Sequence, residues 1–299
     1  MPSRAIPLTP NAVLALSGDD AADFLHGQFT NDVKALTVGA AQWNGWCSAK
    51  GRLLATFLLL RRPGGYLLML PAEIAAPFAK RLRMFVLRSK VTIEDVTATW
   101  QRVGVVGPDS IGAAFGSVPA AMTSVERDGA YAVALDERRF VVLAPEGHAT
   151  LASLGEAGTL PEWDLELIHL GVPVIVAATQ EAFVPQMANF ELVGGVSFKK
   201  GCYPGQEIVA RTQYRGILKK RMALAHVDGA VPAPGQDVYG AAFGDQSAGA
   251  VVNAAPAPGG GHDLLVVAQL ECLAAGDLKL GAPDGPALRI VSHPAAQAA

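Results

Sequence analysis

The run Leu53–Leu60 constrains this fold more than any other stretch of the chain. It is apolar except for Thr56, and it stops at Arg61-Arg62. Because it does not alternate, a strand built from it is covered on both faces. It is too short to cross a bilayer. Upstream, Trp43–Cys47 reads as a neighbouring strand, joined through Ala49-Lys50-Gly51-Arg52, with Gly51 suited to the turn. Downstream, Pro63-Gly64-Gly65 turns the chain and Tyr66–Leu70 returns as a strand. Ile74, Phe78, Leu82 and Phe85 then mark one face of a helix from Ala72 to Leu87, with Lys80, Arg81, Arg83 and Arg88 as its wet side.

Further elements surround this centre. Val13–Leu16 reads as a short strand, and Ser17 as the cap of a helix through Leu25 with Asp19, Asp20 and Asp23 near its start. Val91–Ile93, Arg102–Val106, Tyr131–Leu135 and Phe140–Leu143 are strands, with short helices at Ser110–Phe115 and Ala149–Leu154. Pro161 opens a helix whose apolar face is Trp163, Leu167 and Leu170; Gly171 ends it, and Val172–Val176 continues as a strand. The irregular alternation of strands and helices indicates an α+β class. No Gly-x-Gly-x-x-Gly or Gly-x-x-x-x-Gly-Lys-Ser/Thr string occurs, so nucleotide cofactors have no support. Beyond Gly216 the chain becomes short β segments cut by Gly and Pro: Ala223–Val227, Val238–Tyr239, Ala248–Val252, Leu264–Ala268 and Leu288–Val291. That pattern predicts a small β-barrel over residues 217–299, following a first region over 1–216 made of two interleaved subdomains. Pro294–Ala299 reads as a frayed tail.

The 299 residues carry a net charge of −3, which gives no bulk attraction to nucleic acid or to an anionic membrane. Arg4, Pro7, Pro10 and the short Ala12–Leu16 run do not make a secretory signal, and the expectation is a cytoplasmic protein. The three cysteines, Cys47, Cys202 and Cys272, lie far apart with no Cys-x-x-Cys. An odd, sparse count fits a reducing compartment and predicts no metal site.

One cysteine has distinctive company. Lys199 and Lys200 precede Cys202, Arg211 and Arg215 follow it, and Pro204-Gly205 turns the chain beside it. Ile208, Val209 and Thr212 have the spacing of a short helix ending at Gly216, which puts Cys202 at or just before a helix N-terminus. Cationic neighbours and the helix dipole favour a thiolate; burial would oppose it. Lys200-Gly201-Cys202-Tyr203-Pro204-Gly205-Gln206-Glu207, continuing through Val209-Ala210-Arg211-Thr212 and Tyr214-Arg215-Gly216, resembles the signature of the YgfZ family. Those are folate-binding proteins linked to iron–sulfur enzymes and related to the aminomethyltransferase (T-protein) of the glycine cleavage system. Phe24-Leu25-His26-Gly27-Gln28-Phe29-Thr30-Asn31-Asp32-Val33 resembles an element shared by both groups, and Leu170–Ile175 resembles a Gly-x-Pro element upstream of the thiol.

The resemblance implies a T-protein-like, three-part ring fold around a folate-sized pocket, ending in the small β-barrel. It implies tetrahydrofolate, or a derivative, as ligand, and iron–sulfur enzymes or their assembly proteins as partners. Lys200, Arg211 and Arg215 would hold the folate carboxylates. Gln206 or Glu207 would pair with the pterin edge, and Tyr203 or Phe198 would stack on its ring. Gln206 and Glu207 equally suit helix capping and dipole compensation, and Tyr203 equally suits core packing. The aminomethyltransferases carry an Asp in the helix after the strand matched by Tyr66–Leu70; here Pro71–Thr92 contains Glu73 and no Asp. The expected function is therefore an accessory role in assembly or repair of iron–sulfur enzymes through Cys202. The alternatives are a folate-dependent one-carbon transferase and a non-catalytic binding module.

Overall fold

The structure is a computed structural model that describes residues 2–214 and 218–293. The chain divides into two compact units, one of residues 1–44 and 57–163, the other of residues 45–56 and 164–299. The expected boundary at residues 216 and 217 falls on residues outside those described.

The first unit is built on two sheets. In chain order its elements are β1 (Arg4–Pro7), β2 (Asn11–Ser17), α1 (Ala21–Gln28), β3 (Ala41–Cys47), β4 (Leu53–Arg62), β5 (Gly65–Pro71), α2 (Ala72–Arg83), β6 (Thr92–Asp95), β7 (Trp100–Val106), α3 (Asp109–Phe115), β8 (Ser124–Arg127), β9 (Ala130–Ala134), β10 (Arg139–Pro145) and β11 (Glu156–Ala157). One sheet runs β3-β4-β5-β2-β6, the other β11-β1-β7-β10-β9-β8. The ends of β3 and β4, with the turn between them, belong to the second unit. Leu53–Leu60 is buried along its whole length, which is why it shows no alternation.

Three rings lock α1, β4 and α2 together. The Phe29 ring lies 4.6 Å from that of Phe57 and 6.3 Å from that of Phe78, and Phe57 meets Phe78 at 5.6 Å. Helix α2 buries Ile74, Phe78 and Leu82, each worth about 1.5–3 kcal/mol of transfer free energy. It ends at Arg83, not at Leu87. Phe85 N bonds Leu82 O and Val86 N bonds Arg83 O, tightening the last turn, while Arg83 donates to Ile93 O at 2.7 Å and ties the helix end to β6. Ser17 is a strand residue paired with Thr92 and caps nothing. Helix α1 instead begins after Asp20, whose carboxylate accepts from Lys90 N at 2.7 Å.

Helix α4 (Leu160–His169) leads into the second unit, which adds α5 (Gln206–Tyr214), β12 (Lys220–Val227), β13 (Asp237–Tyr239), β14 (Gly249–Pro256), β15 (His262–Gln269), α6 (Leu270–Ala275), β16 (Lys279–Leu280) and β17 (Arg289–Ser292). The strands form an antiparallel half-barrel in the order β16-β13-β14-β15-β12-β17. Its core includes Val227, Val238, Val251, Leu264, Val266, Leu273 and Leu278. Val172–Val176, expected as a strand, joins no ladder. Side chains replace the missing strand partner. Thr56 Oγ1 donates to Pro173 O at 2.7 Å and accepts from Ile175 N at 3.0 Å. Asn253 accepts from Val174 N at 2.8 Å and donates to Val174 O at 2.9 Å. Pro173 has no N–H to give a ladder, and a bulge between Val251 and Asn253 re-aims β14 at that point.

Candidate functional site

The thiol stretch lies wholly in the second unit and is mounted on the tip of the β3–β4 hairpin. The tip closes through Gly51 N to Ser48 O at 2.9 Å and Ser48 N to Arg52 O at 2.8 Å. Gly51 and Gly205 meet back to back, with φ of +69° and +79°. A Cβ on Gly205 would lie 2.4 Å from Ser48 O and 2.5 Å from Gly51 Cα; one on Gly51 would lie 2.8 Å from Ile208 Cβ. Only glycine satisfies both the backbone angle and the approach. The Gly205 carbonyl then accepts the first bonds of α5, from Ile208 N and Val209 N. Gln186 secures the helix from beneath, donating to Val209 O at 2.7 Å.

Helix α5 starts at Gln206, so three residues separate Cys202 from it; the thiol precedes the helix and does not cap it. Cys202 is exposed, whereas Cys47 and Cys272 are buried. Burial pushes the Cys47 thiol up to about 12. It also raises Cys272, helped by the charges of Asp277 and Glu271. Lys200 is only 7% exposed, and its ammonium sits 4.8 Å from the centre of the Tyr203 ring. Tyr203 is buried as well, and burial first, then Cys47, pushes its phenol well above the ordinary range. Lys200 and Tyr203 thus engage each other beside Cys202. Gln206 is half-buried and donates to Lys200 O at 3.4 Å, which closes the segment on itself. Glu207 and Arg211 are exposed on α5, as is Lys199 before the thiol. Phe198 packs edge-on against Tyr214 at 6.5 Å. Arg215 lies outside the described residues.

The second resembling stretch, residues 24–33, belongs to the first unit. Phe24, Leu25, Phe29, Thr30 and Val33 are buried. Asn31 N donates to Asn44 Oδ1 at 3.1 Å and Asn31 Nδ2 to Trp43 O at 3.0 Å, so its amide clamps β3. Asp32 Oδ1 accepts from Ala35 N and meets His26 Nδ1 at 3.1 Å.

Sequence reasoning did not find a chain of histidine and aspartate side chains in the second unit. Asp263 bridges His169 Nε2 and His226 Nδ1, each at 2.7 Å, and His226 Nε2 reaches Asp228 at 3.2 Å. Hydrogen bonds that His226 donates to the Asp263 and Asp228 carboxylates hold it above its ordinary value. Burial acts to raise Asp263, but its two histidine partners outweigh that and lower it. His169 and Asp263 lie far along the chain from the His226–Asp228 pair, so no motif spacing marks the group. Among the described residues no helix is long and apolar enough to cross a membrane.

Comparison with known proteins fits this architecture. Residues 9–118 match the family described as GCVT N-terminal domain. The crystal structure of the glycine cleavage system aminomethyltransferase T from Bartonella henselae matches with a TM-score of 0.76 over 97% of this chain and 85% of that one, at 15% identity. The fold is therefore that of the glycine-cleavage aminomethyltransferases. The sequence is 32% identical to the tRNA-modifying protein YgfZ of Colwellia psychrerythraea, covering 73% of this chain and 69% of that protein. It is 33% identical to the protein of that name from Vibrio vulnificus strain YJ016, covering 77% and 72%. It is 30% identical to that of Escherichia coli strain SE11, covering 80% and 76%. The chain belongs to the YgfZ family.

Proposed function

We propose that this chain binds tetrahydrofolate, or a derivative of it, and acts through Cys202 as an accessory protein in assembly or repair of iron–sulfur enzymes. The observation that carries the reading is the contrast among its thiols: one exposed sulfur on a segment fixed by two facing glycines, and two buried ones. A sulfur that carries a group or reduces a cluster intermediate must be reachable, and the rigid mount holds it in place without a large entropy cost.

The donor set suits a folate. Arg211 and Lys199 are exposed cations for its glutamate carboxylates; Arg215, outside the described residues, is proposed to serve the same carboxylates. Gln206 and Glu207 offer an amide and a carboxylate to the pterin edge. Lys200 and Tyr203, being buried, support the ligand through the backbone that they hold. A bound folate would supply one-carbon chemistry. Against aminomethyl transfer stands α2, which offers Glu73 in its first turn, Pro77 in its interior and no Asp. A second reading comes from the relatives' name: the chain takes part in tRNA modification. With a net charge of −3 it would do so by serving an enzyme that acts on tRNA.

Equilibrium titration with tetrahydrofolate tests the ligand. Wild type should bind, and Arg211→Ala should bind about tenfold more weakly, one charge-assisted bond being lost. No saturable binding by wild type would remove folate from the account. Turnover of an aminomethyl-lipoyl substrate in the presence of tetrahydrofolate would instead establish the transferase reading. Loss of modified nucleosides from cellular tRNA on deletion would support the second.

A further inference from the structure

We propose that a hollow of about 250 Å³ in the second unit is a binding site for a small oxyanion, in which Arg52 and Lys220 grip the carboxylate or phosphate of a short-chain metabolite. Phe183, Met187, Ala250 and Val267 also line it. This site is distinct from the thiol segment and does not rest on the folate reading.

Two cations share this hollow, and among the described residues neither makes an ion pair. Arg52 Nη1 donates to Glu181 O at 3.1 Å and to Ala182 O at 2.8 Å. Those bonds fix the guanidinium on main chain and leave its other N–H groups without a partner among the described residues. A guanidinium held this way is a preformed fork for an oxyanion. Lys220 opens β12, half-buried, with its backbone paired to Gln269. Burial lowers its pKa and the Arg52 charge adds to that, while Asp237 and Cys272 pull the other way. Asp237 does not neutralise the ammonium by contact, for its carboxylate accepts from Ser247 Oγ at 2.7 Å. A half-buried ammonium beside a second cation is costly, and an anion between them would relieve both. The apolar wall of Phe183, Met187 and Val267 suits a ligand with a short carbon chain, and the volume lies below the usual range for drug-sized ligands.

Calorimetric titrations with glutarate and with glycerol phosphate, at constant ionic strength, test the site on the intact protein. At least one should bind at a single site with Kd below about 1 mM. Whichever binds names the source of the oxyanion. Lys220→Met should weaken that binding at least tenfold while leaving the far-ultraviolet spectrum and the Cys202 alkylation rate unchanged. Arg52→Lys keeps the charge but loses the fork, and should also weaken it. Affinity should fall at alkaline pH as Lys220 loses its proton. Binding of neither anion, or binding by Lys220→Met equal to wild type, overturns the proposal.

Discussion

Replacing Gly205 by alanine tests how the thiol segment is mounted. The new methyl would lie 2.4 Å from Ser48 O, 2.5 Å from Gly51 Cα and 2.6 Å from Gly51 N. All three are main-chain atoms, so none can swing aside as the tip of a side chain would. Ordinary contact begins at 3.4 Å, so turn and hairpin must part by about 1 Å. The φ of +79° adds left-handed strain of about 1–2 kcal/mol. Overpacking adds about 1–3 kcal/mol. Gly229→Ala is the matched control: its φ is +67° in the same unit, and nothing lies within 4 Å of a Cβ there. Urea unfolding of both variants should give a loss larger by about 1–3 kcal/mol for Gly205→Ala, at unchanged m-value. Displacing the segment should also change the alkylation rate of Cys202. If Gly205→Ala loses no more stability than Gly229→Ala and Cys202 reacts as in wild type, the glycine contact does not hold the site.

Three further outcomes follow from the same geometry. Under native conditions a thiol reagent should consume one equivalent rapidly, from Cys202, and reach Cys47 and Cys272 only on unfolding; a fast reaction in Cys202→Ala would contradict this. His226 has a folded pKa raised above 6.5, so its contribution is complete below that value and is lost as pH rises through the raised one; Asp263 is lowered from 3.8 and contributes until acid reaches its depressed value. The thermal midpoint of wild type should therefore fall as pH rises above about 6.5, and His226→Gln should flatten that slope. Thr56→Val leaves Pro173 O and Ile175 N without their buried partner and should cost about 2–4 kcal/mol in urea unfolding; a loss under 0.5 kcal/mol would mean that water or a shift replaces the hydroxyl.

The sequence was informative wherever one local rule decided the outcome. Leu53–Leu60 lacks alternation because it is covered on both sides, and its burial follows. The Gly/Pro-cut segments beyond 216 are the strands of the half-barrel, though the short β16 and α6 between them carried no periodic signal. The misses lie where distant groups compete with a local preference. Ser17 has capping chemistry, yet pairing with Thr92 takes it into a strand. Val172–Val176 has strand composition, but Thr56 and Asn253 satisfy its backbone from far along the chain. At the site, Cys202 and its turn were readable from Pro204-Gly205 and the flanking cations. The inward turn of Lys200 onto Tyr203 was not, because a lysine next to another lysine reads as solvated until its ring partner is placed. Arg52 and Lys220 likewise lie 168 positions apart, and only the folded unit brings them to one hollow.

The most direct measurement is complementation of a bacterial strain lacking its YgfZ protein, scoring the activity of an iron–sulfur enzyme with wild type and Cys202→Ala expressed to equal levels. The account predicts rescue by wild type and loss of most of that rescue in the alanine variant, with the variant as stable as wild type in urea. Full rescue by Cys202→Ala would show that the exposed sulfur takes no part in the function.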